Sequence, residues 1–366
     1  MRIEGLLLRF SVDTPCILIR EPPVETPPPP LRVSGRAVVV GGGVAGATAA
    51  RALRLRGLSV IVIDKGRGPG GRTSTRRSEA GAFDHGAQFF TARSLPFADA
   101  VCDWAQAGAV QRWVGRFGEL NGDGLRMLPD RNLWVGIPGM SRVVSHQLDG
   151  TETRFEARAC GLGRSTRGWS VQTESGDALG PFDHAVIAVP APQAAELLGE
   201  VAPAIAERAS GVRLAPCWSV MAAFDRSLGL PFEGLRVRSD SALSWMARDS
   251  AKPEREPEPL ERWVLHAGPE WSEAHVELER EDAGARLIRE FLDLVSRFEG
   301  AASTPVHLRA HRWRYARTVK PLGTPCLHEP ASSLVVCGDW CLGSRVEDAW
   351  TSGTAAAEAL VGSTAC

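Results

Sequence analysis

Three glycines, Gly41, Gly43 and Gly46, stand between two segments of different periodicity and constrain this chain more than anything else in it. Ahead of them, Ala37–Val40 is a short unbroken apolar run, the pattern of a strand buried on both faces. Behind them, Val44–Arg56 carries apolar residues at helical spacing, and Gly57 is placed to end the helix. A second apolar run, Leu58–Ile63, completes a βαβ unit. In that setting GxGxxG has a mechanical reading. The first glycine makes the tight turn, the second lets backbone approach a pyrophosphate, and the third lets helix and strand pack closely. The helix N-terminus offers free N–H groups to the phosphates. Asp64 ends the second strand, where a carboxylate accepts hydrogen bonds from ribose hydroxyls.

The remainder of the chain is long enough for more than this unit. Its 366 residues suggest two domains, or one large α/β domain with a second inserted. A net charge of −1 supplies no global field for nucleic acid or an anionic membrane. No apolar run approaches the ~18 residues of a spanning helix, and the eight cysteines include no CxxC pair. We therefore expect reduced thiols, a cytoplasmic location, and neither membrane nor nucleic acid as partner. Residues 1–34, with Pro22, Pro23 and Pro27–Pro30, predict a poorly ordered extension. Further elements follow: helices over Leu95–Gln106, Ala194–Ala209 (interrupted near Pro203), Glu281–Phe298 and Ala349–Leu360, and strands at His184–Val189 and Leu334–Cys337. Ser219–Phe224, Leu243–Ala247 and Arg262–Ala267 read as an antiparallel sheet, and Lys252–Pro259, rich in proline and glutamate, as an exposed loop.

Three more motifs bear on chemistry. Lys65–Arg72 is a glycine-rich loop directly after Asp64, in which Gly71 precedes Arg72, whose planar fork suits a phosphate. Asp84–Thr91 offers Gly86 for close backbone approach and Gln88 as an amide at a ring edge. Near the C-terminus, Gly338 and Asp339 follow a strand and a helix begins near Ala349. Asp339 could accept from a ribityl chain, and the helix could aim its N-terminus at a flavin pyrimidine edge. A nucleotide site built from both ends of a chain is a flavin arrangement.

These stretches resemble flavoproteins of the amine oxidase superfamily, and most nearly the bacterial renalase-like proteins. The resembling pieces are Gly41–Arg77, Phe83–Thr91, Gly136–Ser141, Ser244–Pro253, Arg262–Ser272, His311–Ala316 and Leu334–Gly353. The resemblance implies an α/β fold: a Rossmann-type FAD-binding domain with an inserted α+β substrate domain on an antiparallel or mixed sheet. It places the FAD domain at 36–95, 136–200 and 326–366, and the substrate domain at 96–135 and 201–325. It implies non-covalent FAD held by Gly41, Gly43, Val44, Ala45, Gly46, Asp64, Lys65, Gly71, Arg72, Ala87, Gln88, Gly338, Asp339 and Ala349. It also implies oxidation of 2- or 6-dihydro isomers of NAD(P)H, with O2 reduced to H2O2.

Such a reaction asks for alignment more than for an acid or base, because aromatisation drives hydride loss. No catalytic residue is therefore named. Gln88, His266, Trp313, Arg314 and Tyr315 are candidates for the pocket wall. Arginines 309, 312, 314 and 317 stand beside it, where one or two could meet phosphates. The alternative within enzymes is amine oxidation. Many amine oxidases hold the amine between two tyrosines, and this chain has only Tyr315. Lys65 and Lys252 sit in loops, which leaves Lys320 as a possible flavin lysine. The alternative outside enzymes is a flavin-binding scaffold or redox sensor, for which Cys337 and Cys341 could form a CxxxC pair. The dispersed histidines offer no metal-ligand spacing.

Overall fold

The computed structural model describes residues 34–362 apart from 123, 239–240, 256–258 and 302. The expected N-terminal extension lies, up to residue 33, outside the described residues.

A six-stranded sheet runs in the order Leu327–Glu329, Leu334–Val336, His184–Ile187, Arg36–Val40, Ser59–Ile63, Glu152–Arg154. All neighbours are parallel except the first pair. Its apolar runs are continuous because both faces are covered. Alternation then divides each run between two cores. Ala37, Val39, Val60, Val62, Val186 and Val335 face helices Val44–Leu55 and Val346–Gly362. Val38, Val40, Ile61, Ile63, Ala185 and Ile187 face the other way. There they meet a three-stranded antiparallel sheet and helices Ala191–Leu198 and Pro203–Ser210.

A seven-stranded sheet holds the other half. Its order is His307–Lys320, Arg213–Phe224, Glu261–Ala267, Leu243–Arg248, Gly234–Val237, Phe117–Asn121, Gly124–Leu128. It is antiparallel except where Gly234–Val237 meets Phe117–Asn121. Helix Arg280–Arg297 buries Leu287, Ile288, Phe291, Leu294 and Val295 on one face, against Val220, Phe224, Trp263 and Leu265. The opposite face turns toward the hairpin Thr75–Ser78/Gly81–Asp84, through Phe83, Met221, Ala223 and Val264.

Several expectations need correction. The helical segment expected over Ala194–Ala209 begins three residues earlier, at Ala191, and its break near Pro203 separates two helices, with Pro203 at the first helical position of the second. The closing helix begins at Val346, three residues before Ala349. The strand at Ser219–Phe224 extends back to Arg213. Lys252 is not in an exposed loop. Its side chain is 0 % exposed and that of Arg255 2 %, because both are drawn inward onto Asp84 and Asp249. Residues 96–135 divide between the two halves. Phe97, Val101, Trp104, Val110, Leu133 and Val135 pack in the core of the six-stranded sheet's helices, and only Phe117–Leu128 joins the seven-stranded sheet. No helix among the described residues is long and apolar enough to cross a membrane.

Candidate active site

One cavity of about 1730 Å³ runs between the two sheets, and nearly every residue singled out in the sequence lines it. The volume exceeds the ~300–1,000 Å³ of a typical small-ligand pocket, which is room for more than one small molecule.

The nucleotide end is shaped by backbone proximity. A Cβ on Gly46 would stand 1.9 Å from the Gly41 carbonyl oxygen, and one on Gly41 would stand 2.5 Å from that of Ala188. Gly43, at the start of the helix, has nothing within 4 Å of its Cβ position, which opens on the cavity. A side chain there would fill the space before the first turn of the helix, at Val44 and Ala45. Asp64 accepts from the Gly42 and Gly66 amides, each at 2.6 Å, and so ties the two glycine-rich loops together. The Gly70 amide donates to the Gly42 carbonyl at 3.1 Å, and Gly71, at φ +55°, lies against Gly43. Lys65 lines the same end, its pKa lowered by burial and by Arg158.

Arg72 is the hub of the site. Its guanidinium donates to both Asp339 oxygens, at 3.0 and 2.5 Å, so its fork is engaged by a carboxylate rather than left free. It also reaches the Tyr315 and Ala316 carbonyls at 3.4 Å. Its own carbonyl accepts from the Ala87 amide at 2.8 Å, and a Cβ on Gly86 would stand 2.0 Å from it. The first loop, the Asp84–Thr91 segment and the C-terminal element thus converge on one residue. The Gly338 amide donates to Ser352 Oγ, and the buried Glu347 accepts from the Ser94 amide and hydroxyl, which fixes the start of the last helix beside Ala349.

The opposite wall is a single rung of the seven-stranded sheet. Arg236, Trp245, His266, Ser219 and His311 are successive register partners across five strands, so their side chains share one face. Arg236, Trp245, His266 and His311 line the cavity. Gln88 Nε2 lies 3.4 Å from His266 Nε2, while Gln88 Oε1 is buried without a partner. Trp313 Nε1 donates to the His85 carbonyl at 2.9 Å, and the His85, His311 and Trp313 rings cluster within 5.0 Å. These histidines are neutral at physiological pH. Burial, together with neighbouring arginines or Lys252, lowers His266 and His311 to about 4; burial, His311 and Arg76 lower His85 to about 3. A bulge between Trp313 and Arg317 aims the Tyr315 and Ala316 carbonyls at Arg72. Arg314 lines the cavity, but its guanidinium pairs with Glu277 at 2.7 and 2.8 Å. Arg312 donates to the Val276 carbonyl. Lys320 is exposed at the end of its strand.

Behind this wall lies a buried charge cluster. Lys252 Nζ stands 3.0 Å from Asp84 Oδ2 and 2.5 Å from Asp249 Oδ1, and Arg255 also pairs with Asp84. Asp84 accepts further from the Met140 amide and the Thr75 hydroxyl. Cys337 and Cys341 are buried, and burial pushes the first thiol well up and the second to about 12. A redox pair needs a thiolate, which that environment withholds. The described residues contain no cluster able to hold a metal.

The sequence reading passed over Arg236 and Arg238. A lone arginine in a four-residue strand is an ordinary surface pattern until the register shows what it faces.

Residues 39–102 match the profile of NAD(P)-binding Rossmann-like domains, and residues 118–361 that of flavin-containing amine oxidoreductases. Among solved structures, cyclohexylamine oxidase from Brevibacterium oxydans aligns with a TM-score of 0.68 at 14% identity. The alignment covers 90% of this chain and 99% of that one. Putrescine oxidase bound to putrescine aligns with a TM-score of 0.66 at 14% identity, over the same shares.

Proposed function

The chain belongs to the flavin-containing amine oxidoreductase family, and from that premise we propose that it oxidises a 2- or 6-dihydro isomer of NAD(P)H. FAD is held non-covalently, and oxygen is the final acceptor. The charge of the cavity wall carries the reading. Arg76, Arg236, Arg280 and Arg317 line the cavity, and none has a carboxylate within ion-pair distance among the described residues. The histidines between them are neutral. Asp64 and Asp339, the acids nearest the junction of the loops, are already engaged. A protonated amine meets repulsion in such a cavity, and an anionic dinucleotide meets attraction.

The residues fit FAD on the chemistry of the donor set. Gly43 leaves the phosphate cradle open, Val44 and Ala45 bring amides to it, and Asp64 keeps lone pairs for a ribose. Lys65, Gly71 and Arg72 close the loop over it. Ala87, Gln88, Gly338, Asp339 and Ala349 surround the far end. The bound flavin supplies a two-electron acceptor that passes its electrons to oxygen.

This chain's own residues position the donor. Trp245 and Trp313 offer aromatic faces, and Gln88 and His266 offer neutral polar edges. No side chain need take a proton from carbon, because the donor leaves hydride behind and becomes an aromatic cation. One dihydronicotinamide, one O2 and one proton give one oxidised dinucleotide and one H2O2.

Amine oxidation is the second reading. The names of the aligned structures favour it, as does the aromatic lining of Phe89, Trp245, Trp313 and Tyr315. Anaerobic titration of the holoenzyme separates the two. Bleaching by a 2- or 6-dihydro isomer, orders of magnitude faster than by any of a panel of amines, supports the first. Fast bleaching by an amine, with inert isomers, replaces it with the second.

A further inference from the structure

Two groups of arginines lie at opposite ends of the rung that walls the cavity. At one end, Arg76 touches His311 Nδ1 at 3.4 Å and stands in the field of Arg67, Arg280 and Arg309. Arg67 belongs to the glycine-rich nucleotide loop, so this end runs along the path of the cofactor's own phosphates.

The other end has no such tenant. Arg236 is half-buried on the rung, and its register partner Glu119 is already paired with Arg126 at 3.0 Å and Arg238 at 2.6 Å. Arg131 and Arg317 add to the same field. Arg126 and Arg238 share the Glu119 carboxylate, while Arg131 and Arg317, the latter reaching in from strand His307–Lys320, stand in the field of Arg236. Arg236, Arg238 and Arg317 line the cavity, and Arg236 and Arg317 have no carboxylate partner among the described residues. Next to Arg236 on the rung is Trp245, whose Nε1 is buried without a partner, and beyond it His266. Arg236 and His266 are two strand spacings apart, about 10 Å, a gap that a ribose with its 5′-phosphate spans.

We propose that Arg236 and Arg317 form a phosphate clamp that binds the pyrophosphate of the donor dinucleotide while its nicotinamide lies against Trp245 and His266. The inference rests on the donor class proposed above and adds its polarity: the donor enters with its phosphates toward the Gly234–Val237 strand. Guanidinium forks at both positions select a dinucleotide over the uncharged nucleoside.

The test uses oxidised holoenzyme and a binding readout independent of turnover. Oxidised nicotinamide dinucleotide, nicotinamide riboside and inorganic pyrophosphate are titrated by calorimetry and by perturbation of the flavin spectrum, at low and high salt. The parent should bind the dinucleotide roughly tenfold or more tighter than the riboside. Pyrophosphate should compete with the dinucleotide, and salt should narrow the gap. R236Q/R317Q should close the gap, and R236K should restore part of it. If the double variant loses its flavin, the single variants and the salt dependence of the parent are read the same way. A gap that survives both glutamines and high salt overturns the clamp. If the dihydro isomers then reduce the flavin, the donor class stands without the clamp. If the gap closes as expected but no isomer reduces the flavin, the anion site stands and the donor class falls.

Discussion

Replacing Lys252 by methionine should destabilise the folded protein more than almost any other single change to its charges. The ammonium is fully buried, 3.0 Å from Asp84 and 2.5 Å from Asp249, with the Trp113 ring 5.5 Å away. Asp84 would keep Arg255, the Met140 amide and the Thr75 hydroxyl. Among the described residues, Asp249 would keep only the Arg255 Nε contact at 3.9 Å. Removing one partner of a buried ion pair costs about 3–5 kcal/mol, because the other charge stays buried and uncompensated. An unfolding entropy of about 2.1 cal/mol/K per residue over 366 residues comes to about 0.8 kcal/mol/K. The unfolding midpoint should therefore fall by roughly 4–6 °C. Side-by-side thermal unfolding of the flavin-loaded proteins measures it.

Acidity adds a second signature. Burial alone would raise the Asp84 carboxyl, but Lys252, Arg255 and two hydrogen bonds hold it below its ordinary value. A depressed carboxyl contributes stability above its unfolded value of about 3.9, and loses it as pH falls through the folded value. Without Lys252, Asp84 takes up its proton at higher pH than in the parent, so the deficit of the variant should shrink as pH falls toward ~5. K252M/D249L, which replaces the pair by apolar groups, should recover most of the loss. A K252M protein that unfolds within about 1 °C of the parent would refute the view that Lys252 compensates two buried carboxylates.

The other predictions are briefer. Acid precipitation should release the flavin into the supernatant; flavin in the pellet would mean a covalent bond. Asp64→Ala should weaken FAD binding by ~1–3 kcal/mol, read by fluorescence of released flavin, since a ribose acceptor and the tie between the Gly42 and Gly66 amides go together. The histidines fold with depressed values of about 4 for His266 and His311 and about 3 for His85. Each takes a proton more readily when unfolded, near ~6.5, so stability should rise with pH between ~4 and ~6.5 and level off above. The rate of flavin reduction should show no histidine inflection between pH ~6 and ~8; one inside that window would place a proton on His266 or His311.

The nucleotide half was legible because its signals are local. The Gly41–Gly46 turn, Asp64 and the apolar runs each follow from a few consecutive residues, and the structure places them in one sheet and one cavity. The site's other wall depends on register, which no segment states alone. Leu243–Ala247 and Arg262–Ala267 are readable as strands, each one residue short of its observed length. That Trp245 lies beside His266, and Arg236 beside Trp245, follows only from how the strands pair. Lys252 was misread for a related reason: proline and glutamate around it argue for solvent, and only Asp84, 168 residues earlier, draws it inward. Arg72 was read as a phosphate ligand from its loop, and its bond to Asp339 spans 267 residues.

The two walls answer to different constraints. The nucleotide wall works through backbone: Gly41, Gly46 and Gly86 stand so close to carbonyl oxygens that no other residue fits without a shift of main chain. The rung works through side chains on a pleated sheet, where each can change without moving the strand that carries it. In this chain the row reads arginine, tryptophan, histidine, serine, histidine. Tyr315, the only tyrosine, lies in the bulge whose carbonyls hold Arg72, so this strand also braces the Lys65–Arg72 loop. Exchanging Arg236 and Trp245 for residues of another specificity should thus alter what binds while the FAD content of the purified protein stays the same; flavin lost in step with donor binding would show that the walls are not independent.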